Sequence, residues 1–266
     1  MNLTIITSVP HVKIGNQYFA YAPYVYEMNI WAKQADELVI VAPLSNESRS
    51  AIDSNYQHDT IVFKPVFNFD ITTLKSRLKA VFCIPVNIVR LFKAMRQADH
   101  IHLRCPGNVG LLGCIVQVFF PNKMKTAKYA GNWDPKSKQP WTYKLQQKIL
   151  QNTFLTRNMQ VLIYGKWEGQ SNNCKSFFTA SYYENDKEDL VVKNLDSTIN
   201  FTFVGALVKG KNPLYAIQLV EGLSNKGFNV CLSLYGEGIE RNQLEAYIAV
   251  NNLSEFISLK GNQSKS

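Results

Sequence analysis

The stretch Ser197–Gly238, STINFTFVGALVKGKNPLYAIQLVEGLSNKGFNVCLSLYGEG, constrains the fold more than any other. Ile199, Phe201 and Phe203 alternate with Asn200 and Thr202 and run into Val204, the period-two pattern of a strand. Gly205 ends it, and a basic loop with Lys209, Gly210 and Lys211 follows. Asn212 suits an N-cap and Pro213 a first helical position; Ala216, Val220 and Leu223 mark one helix face, with Ile217 and Leu219 widening it. Asn225, Lys226 and Gly227 stop the helix, and Phe228–Leu234 forms a second strand running into Gly236-Glu237-Gly238. The unit is βαβ, and its first loop brings glycine, lysine and helical amides together, the makings of an anion site.

The same alternation runs through the rest of the chain. Leu3–Ser8 reads as a buried strand and Pro10–Gln17 as a loop carrying His11, Lys13 and Gly15. Tyr21–Lys33 reads as a helix, Glu37–Ala42 as a strand, Asn46–Asp59 as a surface loop and Thr60–Phe67 as a strand. Thr72–Ala98 has helical spacing at Leu74, Leu78, Val81, Ile88, Leu91, Phe92 and Met95, with a kink or split expected at Pro85. Strands follow at Asp99–Leu103, Lys125–Ala130, Met159–Tyr164 and Ser176–Thr179, with an apolar helix to Phe120 and another at Pro140–Thr156. After Gly238 come a helix to about Asn251 and a strand, Glu255–Lys260. The expected organisation is α/β with two domains: 1–185, a linker at 186–196, and 197–266. The second is expected to be about half of a doubly wound domain.

Charge narrows the function. The net charge is +9. Between Ile71 and Trp167 sixteen Lys or Arg face only Asp99 and Asp134. That block reads as a solvated basic face or as a surface for anionic lipid or substrate. Within it, the helix at 72–98 carries Lys75, Arg77, Lys79, Arg90, Lys93 and Arg96 and no acid, so it either packs on the domain core or lies on a membrane surface. A nucleic-acid role has charge alone behind it and is set aside. The five cysteines have no metal-ligand spacing, and their odd number without a secretory leader points to a reducing, cytoplasmic compartment. No metal, Walker, Ser-His-Asp or G-x-G-x-x-G pattern is present.

Phe203–Pro213, FVGALVKGKNP, followed by Leu232–Gly238, LSLYGEG, and by the turn Lys260-Gly261-Asn262, resembles the nucleotide-sugar glycosyltransferases with two Rossmann-like domains, the group-1 or GT-B class. The resemblance implies a retaining sugar transfer from a nucleotide-diphosphate donor to a sugar or lipid-linked acceptor in polysaccharide or glycolipid synthesis. It implies no cofactor, and the basic block at Ile71–Trp167 would then dock the chain peripherally at an anionic inner membrane face. It puts Gly205 beside the donor diphosphate, Lys211 and Lys209 against its charge, and Gly236, Glu237 and Gly238 along the nucleotide. On the acceptor side it points to the loops holding His11 and Gly15, Arg104 and Asn108, and Asn132, Trp133 and Asp134. Asp134, with Asn132, would act on the acceptor hydroxyl or else cap the turn beside Pro135, Arg104 would hold an acceptor phosphate, and Trp133 would stack on a sugar or else sit in the core. Two departures stand out: Ala206 occupies the place of a family arginine, and the family's acidic pair, seven apart, is not in the sequence. The rival expectation is a non-catalytic glycan- or membrane-binding module.

Overall fold

A computed structural model of the chain describes residues 1–178, 187–189 and 197–263. The expected linker lies outside these residues except for 187–189, as does Thr179 of the last expected strand of the first half. The chain divides into two compact units, residues 1–49 with 53–183, and 50–52 with 184–266.

The first unit contains β1 (Asn2–Ile6), β2 (His11–Ile14), β3 (Gln17–Tyr21), α1 (Ala22–Ala32), β4 (Glu37–Ser45), β5 (Asp53–Asn55), β6 (Ile61–Val66), α2 (Leu74–Gln97), β7 (His100–Cys105), α3 (Asn108–Val116), β8 (Met124–Tyr129), α4 (Trp141–Gln151), β9 (Met159–Ile163) and β10 (Cys174–Ser176). Its parallel strands run in the order β10-β9-β8-β7-β1-β4, with β6 on the far side of β4. Both faces at the centre of this sheet are filled, which is why β1 and β4 read as largely apolar runs. In β1 and β4, Leu3, Ile5, Leu38 and Ile40 pack on α1, while Ile6, Val39 and Val41 join the core under α2 and α3.

Three expectations change here. Pro10–Gln17 is not a loop: β2 and β3 form a hairpin around Gly15-Asn16, and β2 pairs in parallel with the end of β4. Gly15 takes φ +57° at that two-residue turn, a conformation glycine adopts without strain. Asn46–Asp59 holds the short strand β5 and a buried Tyr56. Helix α2 runs through Pro85 without a break. Pro85 is exposed, so the carbonyl that loses its amide partner faces water. A reciprocal cap starts the helix: the Ser76 amide donates to Thr73 Oγ1 and the Thr73 amide to Ser76 Oγ. The face α2 buries is Ala80, Cys83, Asn87, Leu91, Ala94 and Met95, whereas Leu74, Leu78 and Val81 point away from the core.

The second unit contains β11 (Ile199–Val204), α5 (Pro213–Ser224), β12 (Val230–Tyr235), α6 (Arg241–Val250) and β13 (Ile257–Gly261). Its three strands are parallel, in the order β11-β12-β13. A single core joins Val230, Leu232, Leu234 and Ile257 to Ile217, Val220, Leu244 and Ile248 of the two helices. The alternate positions of β11, Asn200, Thr202 and Val204, are exposed, and Cys231 and Ser233 of β12 are half-buried. This sheet has one apolar face.

Candidate functional site

In the second unit the sequence-predicted donor residues converge at the C-terminal ends of β11 and β12. The Gly205 amide donates to Tyr235 O (3.0 Å), the Leu207 amide to Glu237 O (2.9 Å) and the Glu240 amide to Leu207 O (3.1 Å). The Gly236 amide reaches Gly261 O at the end of β13 (2.9 Å). Three strand-to-helix loops are thereby laced backbone to backbone. A Cβ on Gly236 would collide with the Gly205 carbonyl, and one on Gly238 with the Leu207 carbonyl. Those two glycines are required by the packing of the loops themselves. Gly205 differs, since a Cβ there meets nothing closer than the Phe203 ring at 3.7 Å.

Lys209 and Lys211 sit on a 3-10 turn that leads into α5, and both are exposed. Among the described residues neither ammonium has an ion-pair partner. Asn212 is the N-cap of α5 by position, but it adopts φ +52° and its side chain makes no capping hydrogen bond. Pro213 opens the helix as expected. A cavity of about 330 Å³ lies at this place, lined by Lys209, Asn212, Leu214, Glu240, Gln243 and Leu244. It lies beside the starts of both helices, where unpaired amides give a positive potential. The Glu237 side chain is engaged locally. Its Oε1 accepts from Arg241 Nη1 at 2.5 Å, and Arg241 Nε also bonds Glu245 at 2.8 Å.

In the first unit the acceptor-side residues divide. Arg104, at the end of β7, donates to Glu27 Oε2 of α1 (2.9 Å) and lies over the Tyr24 ring. Lys128 of β8 pairs with Glu27 Oε1 (3.0 Å) and sits over the Phe177 ring. Side-chain exposure is 18% for Arg104, 4% for Glu27 and 1% for Lys128. Two cations therefore share one carboxylate at the C-terminal edge of the sheet, with the guanidinium at the outer end. Sequence reading missed Glu27 and Lys128, although a lone acid within an apolar helix and a lysine beside the buried end of a strand were the available signals.

Burial or bonding corrects three of the expected acceptor-side roles. His11 is fully buried, bonded through Nε2 to Tyr56 Oη (2.7 Å) and through Nδ1 to Val9 O (2.9 Å), and has no surface to offer an acceptor. Burial lowers its pKa to about 4. Trp133 is a core side chain set edge-on to Tyr129 at 4.9 Å, so it cannot stack on a sugar. Asn108 Nδ2 donates to Phe69 O (2.7 Å) and fixes the segment after β6. Gly15 stands at the hairpin tip. Asn132 and Asp134 form successive side-chain turns, Asn132 Oδ1 accepting the Asp134 amide and Asp134 Oδ1 the Lys136 amide, both at 2.9 Å. Among the described residues no three His, Cys, Asp or Glu side chains converge to hold a metal ion. No helix among them is long and apolar enough to cross a membrane.

No protein-family model and no curated protein sequence matches the chain. Solved structures do. HepE of Anabaena, in complex with UDP-glucose, is similar over 99% of this chain and 70% of its own, with 11% identity and a TM-score of 0.63. WaaG, a glycosyltransferase involved in lipopolysaccharide biosynthesis, is similar over 99% and 70%, with 10% identity and a TM-score of 0.54. A putative UDP-N-acetylglucosamine 2-epimerase of Listeria monocytogenes is similar over 100% and 69%, with 11% identity and a TM-score of 0.57. The chain spans 36% of the length of TarM of S. aureus. At these identities the likeness is one of fold, and it agrees with the parallel sheets and laced glycine loops described above: the chain has the GT-B fold, the two-unit Rossmann-like architecture of nucleotide-sugar glycosyltransferases.

Proposed function

We propose that the chain is a glycosyltransferase that takes a sugar from a nucleotide-diphosphate donor. The observation that carries this reading is a cavity of about 330 Å³ lined by Lys209 and by Asn212 at the uncapped start of α5, with the exposed Lys211 on the same 3-10 turn and Gly205 at the end of β11 before it. The departing diphosphate gathers negative charge as the glycosidic bond breaks. Lys211 and Lys209, with the α5 amides, would offset that charge as it develops. Gly205 carries no side chain on the side where a Cβ would stand, which leaves room there for a ligand oxygen. Glu240 and Gln243 line the same cavity and supply acceptors for ribose or base. Retention of configuration, by the resemblance, goes with this stabilisation of the leaving group. The UDP and UDP-glucose complexes of HepE and the transferase role of WaaG support the donor class.

On the acceptor side we assign Arg104 to an anionic acceptor group, its guanidinium held in place by Glu27. Asp134 and Asn132 are kept as turn formers that shape the nearby loop rather than as proton-transfer groups. The acceptor is a sugar or lipid-linked sugar of surface polysaccharide or glycolipid synthesis, reached from the cytoplasmic face of a membrane. The test is calorimetry with UDP and other nucleoside diphosphates. Lys211→Ala should weaken binding about tenfold, the loss of one charge-assisted contact worth about 1.4 kcal/mol. Binding that is unchanged by the substitution removes the phosphate role.

A further inference from the structure

The side of α2 that the core does not use is apolar. Leu74, Leu78, Val81 and Phe82 are 75%, 62%, 64% and 77% exposed, and Val89 and Phe92 continue the row with Pro85 between them. At about 100° per residue these positions fall within a sector of roughly 100° on the helix. Beyond the helix the row is extended by Phe119, 69% exposed, whose ring meets Phe92 edge-on at 6.3 Å. Monomeric surfaces rarely leave so long an apolar strip facing water. Its flanks are basic: Lys75, Lys79 and Lys93 are exposed along one side and Arg77 along the other, and α2 contains no carboxylate.

We propose that this face of α2, with Phe119, is a membrane-docking surface for anionic phospholipid. The apolar row enters the headgroup–acyl boundary while the flanking ammonium groups meet lipid phosphates. A helix of 24 residues is about 36 Å long, and here it lies along the surface instead of crossing it. Charge decides the occupant. A second copy apposed through the same face would set cations against cations with no acid on α2 to answer them, and that contact is self-repelling. A lipid leaflet supplies both an apolar layer and a plane of phosphates. The proposal deepens the peripheral placement proposed above and does not require that the chain transfer sugar.

The experiment is co-sedimentation of the whole chain with vesicles of phosphatidylcholine alone or with phosphatidylglycerol added, at low and high salt. The wild-type chain should bind the anionic vesicles and lose much of that binding at high salt. The double variant Leu78→Asp/Phe82→Asp replaces exposed side chains, so its circular dichroism should be unchanged while vesicle binding falls about tenfold or more. Lys75→Glu/Lys79→Glu/Lys93→Glu should remove the preference for phosphatidylglycerol. Wild-type chain that stays in the supernatant, or a double variant that binds as well as wild type, overturns the proposal. So does a concentration-dependent dimer in analytical ultracentrifugation that the double variant abolishes, since the face would then serve self-association. Calorimetry with UDP on the same variants separates this result from the transferase reading, because α2 lies in the other unit from Lys211.

Discussion

Lowering the pH should unfold the first unit through two buried histidines. His11 is enclosed by Tyr24, Tyr56 and Phe63, and burial lowers its pKa from 6.5 to about 4. His102 lies against Trp31 at 4.9 Å with Nδ1 on Thr126 Oγ1, and its Nε2 has no partner. Burial first, then the charges of Arg104, His100 and Lys128, lower its pKa to about 3. In the unfolded chain both rings titrate near 6.5. Below that pH the unfolded state therefore binds more protons, so stability is present above 6.5 and is lost as the pH falls toward the folded values. At pH 5, 1.5 pH units below 6.5, each histidine costs about 2 kcal/mol, and the pair about 4 kcal/mol. Urea titration read by tryptophan fluorescence measures this cleanly, because Trp31, Trp133, Trp141 and Trp167 all belong to the first unit. His102→Gln should be less stable at neutral pH but should flatten the slope between pH 7 and 5 by about half. A wild-type curve that is level over this range, or a variant with the full slope, would refute the reasoning.

Gly205→Ala should leave the second unit folded, since its Cβ has room, yet weaken nucleoside diphosphate binding about tenfold if a phosphate oxygen rests on that backbone. Gly238→Ala should instead destabilise the unit itself by about 1–3 kcal/mol, through collision with the Leu207 carbonyl, seen as faster hydrogen exchange along β11–β13. Glu27→Gln removes the buried carboxylate that Arg104 and Lys128 share and should cost the first unit about 3–5 kcal/mol in the same urea titration.

The first unit's sheet was legible because its central strands β1 and β4 are apolar on both faces, and the βαβ unit at 197–238 because its first strand alternates and glycine, lysine, asparagine and proline each stand where their backbone preferences require. The hairpin at His11–Tyr21 was also written in the sequence, in Gly15-Asn16 between two short alternations, but the polar residues around it read as a loop. The orientation of α2 was not legible. Two sets of apolar residues recur on it at helical spacing, and the core takes the set with small members, Ala80, Cys83 and Ala94, which lets the helix approach the sheet. The larger Leu74, Leu78 and Val81 look more hydrophobic on paper and are left outside. Glu27 and Lys128 were missed because a single charge says nothing of its partner until the chain brings them within 3.0 Å.

The one-sided sheet of the second unit would tie the proposed ligand binding to folding. A layer of helices on one face gives that unit a single hydrophobic interface, whereas the first unit has two. A ligand bound there, as proposed above, would add about 2.7 kcal/mol to the stability of that unit at a concentration a hundred times its Kd. For such a unit, occupancy and persistence of the native state would be linked, and a ligand held by the loops would hold them together in return.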